Sequence, residues 1–133
     1  MKISVIGGGA WGTTLAQVLD DNGYETIIYE INDKYVKKIN NENVHPIFNN
    51  KLSKKIKATP NLEEAINFSN YYLLAVPTKV MRNVLKEMNK FINKPSIFIN
   101  VSKGIEPDTL KRVSEIVTEE INEHNNTGFV CLT

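Results

Sequence analysis

Three glycines, at positions 7, 9 and 12, sit between a short apolar run over residues 3–6 and a stripe of helical period that begins near Trp11; a second β-rich run then ends on an acid, Glu30. G-x-G-x-x-G between a strand and a helix, with an acid about 20 residues further on, is the fingerprint of a dinucleotide-binding βαβ unit. Each glycine answers a different steric demand. Gly7 permits the tight turn out of the strand, Gly9 lets backbone approach a pyrophosphate with no Cβ between them, and Gly12 allows the helix to lie close on the strand. The unpaired N–H groups of the helix N-terminus then face the phosphates. A glycine turn that binds nothing leaves both the spacing and the place of Glu30 unexplained.

The chain of 133 residues is 41% hydrophobic, enough for one domain with a real core, so residues 1–133 are read as a single dinucleotide-binding unit. Sixteen basic residues against fifteen acids give a net charge of +1, which offers no electrostatic pull toward nucleic acid or an anionic membrane. Three glycines interrupt the apolar start too early for a signal peptide, and the longest apolar stretches are strand-sized, which excludes membrane insertion and points to the cytoplasm. The single cysteine, Cys131, lies in the apolar FVCL and reads as a buried thiol in a reducing compartment.

Past the glycine turn, short β-rich runs alternate with helical patterns, which argues for a doubly wound, mainly parallel α/β sheet. Strands are predicted near 2–6, 25–30, 71–76, 96–101 and 128–132. The first helix places Leu15, Val18 and Leu19 on one face and closes at Gly23. Residues 79–92 carry Val80, Val84, Leu85, Met88, Phe91 and Ile92 at helical spacing, and residues 109–122 carry Leu110, Val113, Ile116, Val117 and Ile121; both stripes are predicted to be core. A shorter helix from Leu62 to about Phe68 has Asn61 as N-cap with Glu64 three residues on, a variant of the capping box. Residues 40–59 lack clear periodicity and read as an irregular excursion, ending in a short strand at 56–58.

In an open α/β sheet ligands bind outside the carboxyl ends of the strands. The residues at those ends are the glycine turn, Glu30–Ile31, Pro77–Thr78 and Ser102–Lys103–Gly104. Glu30 can accept from the adenosine ribose hydroxyls and would repel a 2′-phosphate, favouring NAD over NADP. Ile31 offers an apolar face to adenine. Pro77 fixes the strand-to-helix turn without presenting an N–H. Lys103 follows the apolar IFINV run, where its ammonium is expected to enter the crevice and meet an anion, either the cofactor phosphates or a phosphorylated substrate.

VIGGGAWGTTLA, LLAVPTKVMRNVL and FINVSKGIEPDTL resemble, in order and spacing, the N-terminal half of NAD-dependent glycerol-3-phosphate dehydrogenases, a Rossmann-type fold. HPIF at 45–48 is similar to that family's short motif ending in an aromatic. The tryptophan within the glycine turn and the S-K-G triplet are the most specific parts. The resemblance implies that Ala10, Trp11 and Phe48 join Gly7, Gly9, Gly12, Glu30, Ile31, Pro77 and Lys103 as cofactor contacts, with Lys103 also touching substrate. The family's usual L-P after the aromatic is Asn49–Asn50 here.

By the same resemblance the reaction is reduction of dihydroxyacetone phosphate to sn-glycerol 3-phosphate with NAD(P)H, and the whole enzyme is a candidate homodimer. A ketone also needs a proton donor. His45, in the irregular segment, and His124, near the end of the last helix, do not qualify, so no catalytic residue is assigned within this chain. In the family the catalytic lysine belongs to a second, helical domain. FVCLT reads as a buried strand without an exit loop, so the chain is expected to be the cofactor half of a longer enzyme, the helical domain absent, able to bind NAD but not to turn over substrate. Rival readings stay open. N-terminal halves of hydroxyacyl-CoA, 6-phosphogluconate and ketopantoate dehydrogenases share the fold, though not Trp11 with Ser102–Lys103–Gly104. A noncatalytic NAD-sensing module would carry an effector domain beyond residue 133 in place of a helical catalytic one, and an FAD-binding lobe would show flavin absorbance. No His/Cys/Asp cluster has metal-ligand spacing.

Overall fold

The computed structural model describes residues 1–132. Strands β1 (Lys2–Ile6), β2 (Glu25–Tyr29), β3 (Lys57–Thr59), β4 (Tyr71–Leu74), β5 (Ser96–Asn100) and β6 (Asn126–Cys131) form one sheet in the order β3-β2-β1-β4-β5-β6, every pairing parallel. Helices α1 (Ala10–Asp21), α2 (Asp33–Lys37), α3 (Leu62–Phe68), α4 (Thr78–Asn89) and α5 (Val113–Glu120) carry the crossovers. Because β1 lies between β2 and β4, chain direction across the sheet reverses there, and a crevice opens at the carboxyl ends of those strands.

Burial on both faces explains why the inner strands read as near-continuous apolar runs. On one face Ile6, Tyr72, Leu74 and Phe98 meet Ile66 of α3, Met81, Leu85 and Met88 of α4, and Ile116 and Val117 of α5. On the other, Ile3, Val5, Ile28 and Leu73 meet Ala16 of α1 and Ile39, Leu52 and Ile56 of the excursion. Fully burying one such side chain contributes about 1.5–3 kcal/mol. Two fully buried polar groups of this core are paired: Ser4 Oγ donates to Ala65 O at 2.6 Å, and Tyr72 Oη donates to Ile66 O at 3.1 Å.

Several local expectations need correction. A helix not foreseen, α2, follows β2, Asn32 Oδ1 capping it by accepting from Lys34 N at 3.0 Å, and it loosens into a π-helical turn over Lys38–Glu42 that reaches into the start of the excursion read as irregular over 40–59. The short edge strand lies at 57–59, one residue later than predicted. Asn61 does cap α3, accepting from Glu64 N at 3.2 Å, but the return bond differs. Thr59 Oγ1 accepts from Asn61 N and donates to Glu64 Oε2 at 2.5 Å, so the hydroxyl stands between the cap and the acid.

The last helix starts at Val113, not near 109, because residues 104–112 wrap into a turn; Leu110 has φ 59° and is 69% exposed, outside the core. His124 consequently lies in the turn beyond α5. Val18 also faces solvent. Cys131 is exposed, not buried: β6 is an edge strand, and an apolar sequence there has a sheet neighbour on one side only.

Candidate functional site

The glycine turn is built by contact. Gly7 has φ +113°, and a Cβ on it would stand 2.8 Å from Ala75 O; its N–H donates to Tyr29 O at 3.0 Å, extending the β1–β2 ladder by one bond. A Cβ on Gly12 would stand 1.9 Å from Gly7 O and 3.2 Å from Ala75 Cβ, so α1 rests directly on the turn that starts it. Gly9 differs from both. Nothing lies within 4 Å of where its Cβ would be, and it caps α1 with no side-chain hydrogen bond and no acid in the first turn. The first N–H groups of α1 therefore face an open space suited to an anion.

That space is a crevice of about 770 Å³ at the carboxyl ends of β1, β2, β4 and β5, within the range typical of small-molecule sites. Gly7, Gly9, Ala10, Trp11, Glu30, Ile31, Pro77 and Lys103 all line it. Two predicted contacts do not. Gly12 sits one layer behind, under Gly7. Phe48 is 59% exposed and stacks on His45, ring centroids 4.7 Å apart. His45 is buried: its Nδ1 accepts from Ile47 N and Phe48 N at 3.1 and 3.2 Å, which leaves Nε2, 3.0 Å from Ala10 O, as the N–H donor. Phe48 thus belongs to a turn pinned against the first turn of α1, beside the crevice.

Glu30 serves the turn as well as the rim. Its Oε2 accepts from Gly8 N at 2.9 Å and its Oε1 from Asn32 N at 2.8 Å, so the carboxylate is oriented before any ligand arrives. Each oxygen keeps acceptor capacity for a further donor. Next to it, burial first and then the charges of Glu30 and Glu87 push the Tyr29 hydroxyl above its ordinary pKa, keeping it a neutral donor at pH 7.

Sequence reasoning missed Tyr29, Ala75, Val76, Val80, Val84 and Val101 as crevice walls; it took Val80, which is exposed, for core, whereas Val84 both packs against the core and lines the crevice. The stripe on α4 is in fact two adjacent rows. Met81, Leu85 and Met88, with Ile92 just past the helix, join the core, while Val80 and Val84 lie one residue earlier in each turn and reach the crevice, Val84 touching the core as well. The width of that stripe was the available signal.

Lys103 is the one cationic side chain lining the crevice among the described residues, and it forms no ion pair with any of them. Its neighbours are tightly held. Ser102 Oγ donates to Val76 O at 2.6 Å, and Asn100 brackets Ser102 by accepting from its N–H and donating to its carbonyl. Beyond Gly104, Glu106 is buried against Arg82 of α4, whose Nε and Nη2 donate to its two oxygens at 2.9 and 2.8 Å; Thr109 Oγ1 donates to the same carboxylate. The Arg82 Nη1 donates to Glu119 and Glu120 of α5 at 2.7 and 2.6 Å. Arg82 is thereby held cationic far beyond any accessible pH.

The Arg82 hydrogen bonds, then that of Thr109, hold the Glu106 carboxyl down from 4.5 to about 2. A depressed carboxylate stabilises above its unfolded pKa and loses that contribution as pH falls toward its folded one. The urea midpoint of wild type is therefore expected to exceed that of Glu106→Gln above pH 4.5, with the gap closing as pH falls toward 2. A gap that stays constant over that interval would refute this role for the ionised group.

A family model described as the NAD-dependent glycerol-3-phosphate dehydrogenase N-terminus matches residues 2–132. The chain is 61% identical to the glycerol-3-phosphate dehydrogenase [NAD(P)+] of Acholeplasma laidlawii, covering 100% of this chain and 40% of that protein. It is 52% identical to the one of Phytoplasma mali, covering 99% of this chain and 39% of the relative. Among solved structures, glycerol-3-phosphate dehydrogenase from Coxiella burnetii superposes with a TM-score of 0.82 at 24% identity, over 90% of this chain and 37% of the other. A UDP-glucose dehydrogenase from Pyrobaculum islandicum reaches 0.74 at 15% identity, over 99% of this chain and 36% of the other, so the architecture extends beyond one family. The glycine turn, the crevice it opens and the match along nearly the whole length agree, and the chain belongs to the NAD-dependent glycerol-3-phosphate dehydrogenase N-terminal family.

Proposed function

We propose that residues 1–133 form the nicotinamide-dinucleotide-binding domain of an oxidoreductase that interconverts dihydroxyacetone phosphate and sn-glycerol 3-phosphate, a cytoplasmic supply of phospholipid precursor. The observation that carries this reading is the coincidence, in one crevice, of an uncapped helix N-terminus, an oriented acid and an unpaired lysine. The chain spans 40% and 39% of the length of the two curated relatives, so the activity belongs to a whole protein of which this region supplies the cofactor site.

In that reading the amides at the start of α1 hold the diphosphate, Gly9 permitting the approach. Glu30 accepts from the adenosine ribose and rejects a 2′-phosphate, which favours NAD over NADP. Ile31, Trp11 and Pro77 supply apolar walls, and Phe48 would complete them from the neighbouring turn. Lys103 binds phosphate charge where cofactor and substrate meet. When bound, the reduced nicotinamide supplies hydride to the substrate carbonyl. The accompanying proton is not assigned to any residue of this chain, and the whole enzyme is proposed to be a homodimer.

Fluorescence titration of residues 1–133 is expected to show saturable NADH binding and at least about tenfold weaker NADPH binding, a difference of about 1.4 kcal/mol. The same material should not reduce dihydroxyacetone phosphate, whereas the full-length protein should. Equal affinity for the two nucleotides would remove the role given to Glu30. Absence of any NADH saturation would remove the site.

A further inference from the structure

The Arg82 cluster is a costly arrangement for mere stability. Partly buried charges gain little over an apolar filling of the same volume, and here the cluster also fixes one geometry. What they fix here is the segment that carries Lys103. Ser102 is tied at one end, its hydroxyl on Val76 O and Leu74 O at 2.6 and 3.2 Å. Glu106 is tied at the other by the two Arg82 bonds, and its backbone closes the next turn, with Glu106 N donating to Lys111 O and Leu110 N donating to Glu106 O, both at 2.9 Å. Only Lys103, Gly104 and Ile105 lie between these anchors, with Gly104 at φ +91° making the bend. Arg82 cannot serve as an anion site itself, because three carboxylates already take its guanidinium.

We infer that Glu106, gripped by Arg82, is a positioning residue for Lys103: it sets where the one cation of the crevice stands, and so governs affinity for the phosphorylated substrate. The inference rests on the proposed role of Lys103 in binding phosphate charge. It acts through geometry. Loosening the second anchor leaves the ammonium on a chain tethered at Ser102 alone, and the entropy of ordering it then falls on ligand binding.

The test is a double-mutant cycle in the full-length protein with Lys103→Ala, Glu106→Gln and the pair combined, reading KM for dihydroxyacetone phosphate, kcat and the NADH dissociation constant. Glu106→Gln keeps the shape but weakens the grip, and is expected to raise KM about tenfold with a smaller change in kcat. In the Lys103→Ala background the same substitution should change KM less than about twofold, because the group it positions is gone. Thr109→Val, which removes one donor to Glu106, should shift KM in the same direction by less, and carries the test should Glu106→Gln fail to fold. Equal multiplication of KM in both backgrounds would make Glu106 a structural residue only and overturn the inference. Wild-type kinetics for both Glu106→Gln and Thr109→Val, beside a damaged Lys103→Ala, would overturn the positioning role and leave the crevice reading standing. A harmless Lys103→Ala, or a full-length protein inert toward dihydroxyacetone phosphate, would overturn both.

Discussion

Gly12→Ala is expected to be the most damaging single-methyl change in the chain, lowering stability by about 3 kcal/mol or more. The added Cβ would stand 1.9 Å from Gly7 O and 3.2 Å from Ala75 Cβ. Neither obstacle is the end of a flexible side chain that could swing aside. The carbonyl belongs to a turn fixed by the Gly7 N–H on Tyr29 O, and Ala75 is held by its own N–H on Ile6 O, so α1 must lift off the sheet. Lifting it uncovers Ala16, which is fully buried, and loosens Leu15 and Leu19 from the same core. Against a total stability of about 5–15 kcal/mol such a loss is a large fraction. The urea midpoint should fall by roughly 1 M or more, given a slope of about 1–3 kcal/mol/M. A midpoint within about 0.3 M of wild type would show that the turn yields far more cheaply than its contacts imply.

Gly9→Ala is expected to do the reverse. Its backbone, at φ −75° and ψ −161°, suits any residue, and no atom lies within 4 Å of the new Cβ. Restricting the unfolded chain gains about 0.4–1 kcal/mol, but alanine is a poorer N-cap than glycine by a similar amount, so stability should stay within about 1 kcal/mol of wild type. Nucleotide affinity should nevertheless drop about 100-fold, or about 2.7 kcal/mol, because the methyl would occupy the space proposed for the diphosphate beside the amides of α1. Thermal melts and NADH titration on one preparation check fold and binding together. Unchanged NADH affinity in a variant that melts like wild type would mean that the nucleotide lies elsewhere. Two glycines three positions apart are thus predicted to fail in opposite ways, one in the fold and one in the ligand.

Most of the architecture was legible because the sequence repeats its signal at several levels. Parallel strands buried on both faces read as apolar runs, and crossover helices show themselves by period. The glycine turn, Glu30, Pro77 and Lys103 could be picked out because ligands in such sheets gather where strands end. What failed to show was decided by contacts distant in sequence. Nothing around Leu110 reveals that Arg82, 24 residues before Glu106, will draw the preceding turn inward and delay α5. Val80 was misread because an apolar side chain facing a crevice looks the same as one facing a core. Cys131 was misread because composition does not tell an edge strand from an inner one. His45 looked idle in an irregular segment, yet its ring organises the turn that carries Phe48.

The carboxylate of Glu30 accepts from both the Gly8 and the Asn32 amides, and this bears on redesign. Swapping the acid for arginine, the obvious route to a 2′-phosphate-tolerant variant, deletes the charge and the two acceptors in one stroke. Gly8 is buried, and a Cβ on it would meet Glu30 Cβ and Ile28 Cγ2, so its stranded N–H would have little water to turn to. On the role proposed for Glu30, coenzyme preference and loop architecture are coupled through one side chain. A successful retargeting must first give the orphaned amide a new acceptor and only then install the cation.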